Sequence, residues 1–74
     1  MKNKKGVENM KKFVVRDMVS GNVVALIKTN NGKNALRIFK QGLLSTGFYE
    51  IHKENGNWVL SSTYGSYFKA IETV

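Results

Sequence analysis

The dipeptide Asn55-Gly56 constrains the fold of this chain more than any other feature of its sequence. Asn-Gly favours a two-residue type I′ turn, because both central residues of that turn need a positive φ angle. The flanking segments, residues 48–54 and 57–63, are rich in β-forming residues and alternate in polarity. The sequence therefore predicts a β-hairpin centred on this dipeptide.

A two-residue loop also determines which residues of the hairpin lie opposite each other. The predicted pairs run outward from Glu54 with Asn57, and they place His52 opposite Val59. The face of the hairpin that carries His52 and Val59 is half polar, as is usual when one side of an antiparallel sheet is in water. The other face is apolar and is expected to pack on a helix. It consists of Tyr49, Ile51, Trp58 and Leu60.

A second hairpin is predicted nearer the N-terminus. Residues 13–18 and 23–28 are rich in β-forming residues, and residues 19–22 have the composition of a turn. Residues 23–28 are almost wholly apolar, which predicts that this strand is central in its sheet.

A helix is predicted over residues 33–44, where the apolar residues change to helical spacing. One of residues 29–31 is expected to cap it, since their side-chain oxygens can accept from the free amides of the first turn. Gly42 lies inside the expected last turn, and residues 45–47 are expected to end the helix. The predicted apolar face consists of Ala35, Leu36, Phe39 and Leu43, widened by Ile38.

The C-terminal segment is compatible with two structures. The apolar residues from Tyr64 to Val74 have helical spacing, with Ser66 as the candidate N-cap. Phe68, Ala70 and Val74 would also suit a strand. The helix is the favoured interpretation, and the strand is the alternative.

The expected fold is α+β: an antiparallel sheet of two hairpins in the order ββαββ, with one helix packed across a face and a short C-terminal helix or strand.

The formal net charge is +7, and the first twelve residues hold five lysines against one glutamate. Residues 1–11 are therefore expected to form a flexible basic tail, and residues 12–74 a single α+β domain. Such a charge distribution is typical of nucleic-acid contact, and equally of a solubilising leader.

The sequence argues against an enzyme and against a bound metal or cofactor. The chain has no cysteine and one histidine, His52, for which no nucleophile is apparent, although Glu50 on the same strand face could contact it. The glycines do not form a phosphate-binding loop. No apolar run approaches the length of a membrane span, and no secretory signal pattern is present, so we expect a cytoplasmic protein without a membrane partner.

The predicted helix carries the best candidate site for a partner. Basic residues at positions i, i+4 and i+7 form a stripe opposite the apolar face, with no acidic residue in the helix to offset them. Such a stripe could contact phosphates, while Asn, Gln and Arg reach base edges; an ordinary solvated face has the same composition. The candidate nucleic-acid-binding residues are Lys33, Arg37 and Lys40 of this stripe, the flanking Asn34 and Gln41, and Lys4, Lys5, Lys11 and Lys12 near the N-terminus.

Two other kinds of contact are consistent with the sequence. Exposed aromatic residues could stack on single-stranded bases, although a small core needs its aromatic residues inside, and Trp58 opposite Lys53 is also a favourable cross-strand pair. A protein-interaction module, such as a small adaptor or inhibitor, would use a sheet edge or the aromatic face to bind an acidic protein or a second copy in a homodimer.

The excess of lysine over arginine and the absence of proline suit AT-rich coding sequence, as in some bacteria and their phages and mobile elements.

Overall fold

The fold is one antiparallel sheet of five strands and one helix, as a computed structural model describes it for residues 10–43 and 48–73. The predicted α+β class is confirmed. The predicted helix end at residues 45–47 lies outside the described residues, and so do Lys4 and Lys5. The elements in chain order are β1 (Lys11–Asp17), β2 (Val23–Thr29), α1 (Gly32–Gln41), β3 (Tyr49–Glu54), β4 (Asn57–Ser62) and β5 (Tyr67–Thr73).

The C-terminal segment is a strand, so the favoured helix prediction is wrong and the alternative is confirmed. Strand β5 lies between β1 and β4 and pairs antiparallel with both. Two ladders of backbone hydrogen bonds with distant segments outweigh the helical spacing of its apolar residues. Ala70 of this strand is buried in the core, and Phe68 packs against it on the same face.

Strand β2 is at an edge of the sheet, whose order is β2-β1-β5-β4-β3. The prediction that this apolar strand is central is therefore wrong. The central position beside β1 is occupied by β5, which local sequence patterns cannot foresee. On β2, Ala25 and Ile27 pack against the core, whereas Val24 and Leu26 are exposed on the opposite face.

The hairpin of β3 and β4 has the predicted register throughout, from Glu54 opposite Asn57 to Tyr49 opposite Ser62. Asn55 has a φ of 50° and Gly56 a φ of 86°, as the type I′ turn requires. The turn sequence therefore does determine which face of each strand meets the helix.

Helix α1 begins after Asn31, whose side-chain Oδ1 accepts a 2.8 Å hydrogen bond from the amide of Asn34. This confirms an N-cap within residues 29–31. The helix ends at Gln41, three residues earlier than predicted, and Gly42 is its C-cap with φ −89° and ψ −3°.

The core lies between α1 and one face of the sheet. Ala35 and Leu36 are fully buried there, and Phe39 packs edge-to-face on Phe68 with 4.9 Å between the ring centroids. Ile38 is 45% exposed and does not widen the buried face of the helix. The predicted apolar hairpin face is confirmed: Tyr49, Ile51, Trp58 and Leu60 all belong to the core or pack against it.

Within the described ranges, no helix is both long enough and apolar enough to cross a membrane.

Candidate nucleic-acid interface

The basic residues of α1 form an exposed row, which we call the helix stripe: Lys33, Arg37 and Lys40. Their spacing extends over about 10 Å of the helix axis, at about 1.5 Å per residue. Among the described residues none of the three has an acidic partner within ion-pair distance, because the ion pairs there join other residues. No ion pair among the described residues therefore offsets their charge.

The helix stripe lies on the side of α1 that faces the edge strand β3. Arg37, Lys40 and the exposed Gln41 line a shallow groove of about 310 Å³ together with Ile51 of β3. Lys53, also on β3, points to the same face of the sheet because it alternates with His52 and Glu54. A fourth basic side chain, that of Lys53, therefore lies near the start of the helix stripe.

Trp58 of β4 links the helix stripe to Lys53. The Nζ atoms of Lys33 and Lys53 lie 5.5 and 5.4 Å from the centroid of its ring, within the range of cation–π contact. The contact of Lys53 with Trp58 follows from the predicted register and is confirmed. The contact of Lys33 with Trp58 joins the helix to the sheet, and no sequence pattern predicts it.

A pocket of about 280 Å³ opens beside Trp58 at the start of the helix. Its rim includes Asn31, Lys53 and Lys11. The Nζ of Lys11 lies 3.9 Å from Oε1 of Glu72, which also lines the pocket and partly offsets the positive charge. The pocket thus combines an aromatic wall with cationic, anionic and neutral polar groups.

The remaining candidates are dispersed. Asn34 donates from its side-chain amide to Oδ1 of Asn30 at 2.7 Å, so its side chain forms a hydrogen bond at the start of the helix. Lys11 and Lys12 belong to strand β1. Lys12 pairs with Lys28 and faces away from the helix, on the surface that we call the open face. The structure therefore brings the helix stripe together with Gln41 and separates Lys12 from it.

Two aromatic residues are highly exposed, at one end of the sheet: Phe48 at 81% and Tyr64 at 75%. They flank β3 and β4 at the end opposite the Asn-Gly turn, where the amide of Thr63 donates to the carbonyl of Phe48 at 3.3 Å. Trp58 and Tyr49 are only partly exposed, because they also pack against the core. Stacking of bases on these rings stays a prediction.

A hydrogen-bonded network crosses the open face. The hydroxyl of Tyr67 on β5 donates to Glu54 on β3, and Nε2 of His52 lies 2.9 Å from the same carboxylate. His52 therefore contacts Glu54 and not Glu50, which the sequence offered as a partner. The Tyr67 side chain therefore reaches across β4, whose Val59 is fully buried although it faces away from the helix.

The network perturbs two acid–base equilibria. The hydrogen bond from Tyr67, with a smaller contribution from His52, holds the pKa of Glu54 below its ordinary value. The same bond raises the pKa of Tyr67, because ionisation would remove the donated proton. No three acidic, histidine or cysteine side chains of the described residues come together in a group able to hold a metal ion. The network thus joins β5 to the edge strand β3 across β4.

The chain was compared with protein-family models, with curated proteins and with solved structures, and no match was found in any of the three.

Proposed function

We propose that this protein is a small, non-enzymatic module that binds nucleic acid. The observation that carries the proposal is the helix stripe, whose three exposed cations have no acidic partner among the described residues. Cations held in a row on a rigid helix can contact successive phosphates, which supply most of the sequence-independent affinity of nucleic-acid binding.

The distribution of acidic residues supports the same proposal. Glu50 and Glu54, the acidic residues nearest in sequence to Lys53, alternate with it and lie on the open face. The described residues that line the groove between α1 and β3 therefore include two basic and no acidic side chains, and a positive surface of this kind attracts a polyanion. Lys4 and Lys5, outside the described residues, are expected to add affinity that depends on salt and not on sequence.

The test is a fluorescence-anisotropy titration of labelled duplex DNA, single-stranded DNA and RNA at several salt concentrations. The double substitution Arg37→Gln and Lys40→Gln removes two charges from the helix stripe. The matched control, Lys28→Gln and Lys69→Gln, removes two charges from the open face.

We expect the helix variant to bind more weakly and to have a shallower salt dependence, by about 0.9 in the logarithmic slope for each phosphate of duplex DNA that is no longer neutralised. The control should bind nearly as the unmodified chain does. Equal losses of affinity in both variants would mean that only the net charge matters. Absence of binding at low salt, or binding unaffected by salt, would refute the proposal.

Trp58 offers a second readout because it is the one tryptophan of the chain. If a single-stranded base enters the pocket beside it, the fluorescence of Trp58 should be quenched more strongly than by duplex DNA of equal charge. Equal quenching by both would argue that phosphates alone are contacted.

A protein-interaction module is the second candidate function, and a specific observation favours it. Leu26 and Val24 on the open face are 69% and 45% exposed, and an exposed apolar surface often marks a protein contact. A small adaptor or inhibitor of the kind that phages encode would use this surface, with its basic charge steering it to an acidic partner. This alternative predicts a stable complex with protein and little affinity for bare nucleic acid.

A further inference from the structure

The two edge strands of the sheet differ in how they are protected. Natural edge strands usually carry charged residues that oppose pairing with another chain. Strand β3 follows this rule, since charged or titratable side chains occupy most of its positions. Strand β2 does not, because residues 23–27 are all apolar and its one charge, Lys28, comes near its end.

The apolar surface of β2 continues across the open face. Leu26 is 69% exposed and lies opposite Val14, which in turn lies opposite Ile71. The helix packs on the other face, so no helix of the described residues covers this row. Apart from the irregular register near Val23 and the charge of Lys28, this edge has none of the usual protection, and the apolar row is suited to continue into another sheet.

We propose that β2 pairs antiparallel with β2 of a second copy about a two-fold axis, which joins the two five-stranded sheets into one continuous sheet. A two-fold axis perpendicular to the sheet keeps each face on its own side, so Val24 and Leu26 of both copies meet on the open face. The same apolar strand is supplied by each copy, and the contact is therefore self-complementary. This assembly does not depend on nucleic-acid binding.

Charge favours this arrangement over other ways of pairing two copies. The end of β2 that carries Lys28 is cationic, because Lys28 lies opposite Lys12. The other end leads into the β1–β2 turn, where Asp17 and Arg16 give no excess of either charge. Antiparallel pairing places each cationic end near the partner's turn, whereas parallel pairing would place the two Lys28 side chains side by side.

Stacking of two open faces is disfavoured by desolvation. Besides the apolar row, the open face carries Lys12, Arg16, Lys28 and Lys69, which stacking would remove from water. Edge pairing leaves these cations in solvent. It also leaves the helix stripe free, because the stripe faces β3, which is four strands away from β2 or roughly 19 Å at about 4.8 Å per strand.

The test measures the mass of the full chain in the absence of nucleic acid, by sedimentation or light scattering over a range of concentrations. The variant Leu26→Lys places a charge in the edge strand. The control Ile38→Lys places the same charge at an exposed apolar residue of the helix, which is 45% exposed. Circular dichroism verifies that each variant is folded, and Val24→Lys replaces Leu26→Lys if that variant does not fold.

We expect the mass of the unmodified chain to rise from 8.3 kDa to twice that value with concentration. The Ile38→Lys control should do the same, while Leu26→Lys stays at the monomer mass. Amide exchange should be slowed at high concentration in β2 and not in β3. A chain that stays monomeric at millimolar concentration, a dimer that persists in Leu26→Lys, or slowed exchange confined to β3 would each overturn the proposal. Because nucleic acid is absent, none of these results depends on the proposed function.

Discussion

Gly32 begins helix α1 directly against Trp58, so that a β-carbon at Gly32 would lie 3.0 Å from Cδ1 of the indole ring. This approach is closer than ordinary van der Waals contact, so any larger residue would require the indole ring to shift by a few tenths of an ångström. The contact anchors the start of the helix on β4. It also accounts for how the next residue, Lys33, comes to lie over the same ring.

Substitution of Gly32 by valine should destabilise the fold. The added carbons would meet the Trp58 ring in a packed region, and overpacking of this kind costs about 1–3 kcal/mol. Urea unfolding followed by the fluorescence of Trp58 measures the decrease in stability. The matched control is Gly42→Ala at the other end of the helix, where a β-carbon would come no closer than 3.6 Å to Phe39 and the backbone φ of −89° suits alanine. This control should raise the free energy of unfolding by about 0.4–1 kcal/mol, and destabilisation of similar size in both variants would contradict the role given to the Trp58 contact.

The two faces of α1 should respond very differently to truncation. Leu36 is fully buried, so Leu36→Ala leaves a cavity among packed side chains, at a cost of about 2–5 kcal/mol. Ile38 is two residues away and 45% exposed, so Ile38→Ala should change stability by about 0.5 kcal/mol or less. Chemical denaturation of both variants checks the difference. Destabilisation of similar size in the two variants would mean that the helix is rotated about its axis.

The hydrogen bond between Tyr67 and Glu54 should be visible in the titration of both side chains. Tyr67→Phe keeps the ring but removes the donor, so the pKa of Glu54 should rise toward its ordinary value. A pH titration of the Glu54 side chain by NMR measures this shift. An unchanged pKa would show that the bond does not form in solution.

The same bond makes a pH-dependent contribution to stability. Because the folded-state pKa of Glu54 is lowered, its contribution is present above the ordinary pKa of 4.5 and is lost as the pH falls through the lowered value. Because the pKa of Tyr67 is raised, its contribution is present below the ordinary value of 10.0 and is lost as the pH rises through the raised value. The difference in unfolding free energy between the unmodified chain and Tyr67→Phe should therefore be largest between these limits, which denaturation at several pH values can test.

The parts of the fold that sequence patterns predicted correctly depend on nearby residues. The positive φ angles of Asn55 and Gly56 determine the hairpin register, and through it the contact of Lys53 with Trp58. The N-cap at Asn31 follows from a hydrogen bond to a residue three positions away. The helix stripe was likewise identifiable from its spacing, because a helix of known phase places i, i+4 and i+7 on one side.

The features that sequence patterns missed depend on distant residues. Strand β5 is a strand because it pairs with β1, in a register that joins Lys12 to Thr73 near the two ends of the chain. Its local spacing fits a helix as well, and only the two neighbouring strands decide between the alternatives. The second cation over Trp58 is a further example, since Lys33 reaches the ring only when α1 crosses the sheet.

The amino-acid sequence by itself determined the local elements of this protein: the Asn-Gly hairpin with its register, the capped amphipathic helix, and the basic row on that helix. Each of these rests on backbone angles or hydrogen bonds within a few residues. Only the tertiary structure decided the order of the strands. By inserting β5 beside β1, it left the apolar strand β2 at an edge with its outward backbone groups and Leu26 in solvent. That outcome reflects a competition for pairing among segments far apart in the chain, which no local pattern records.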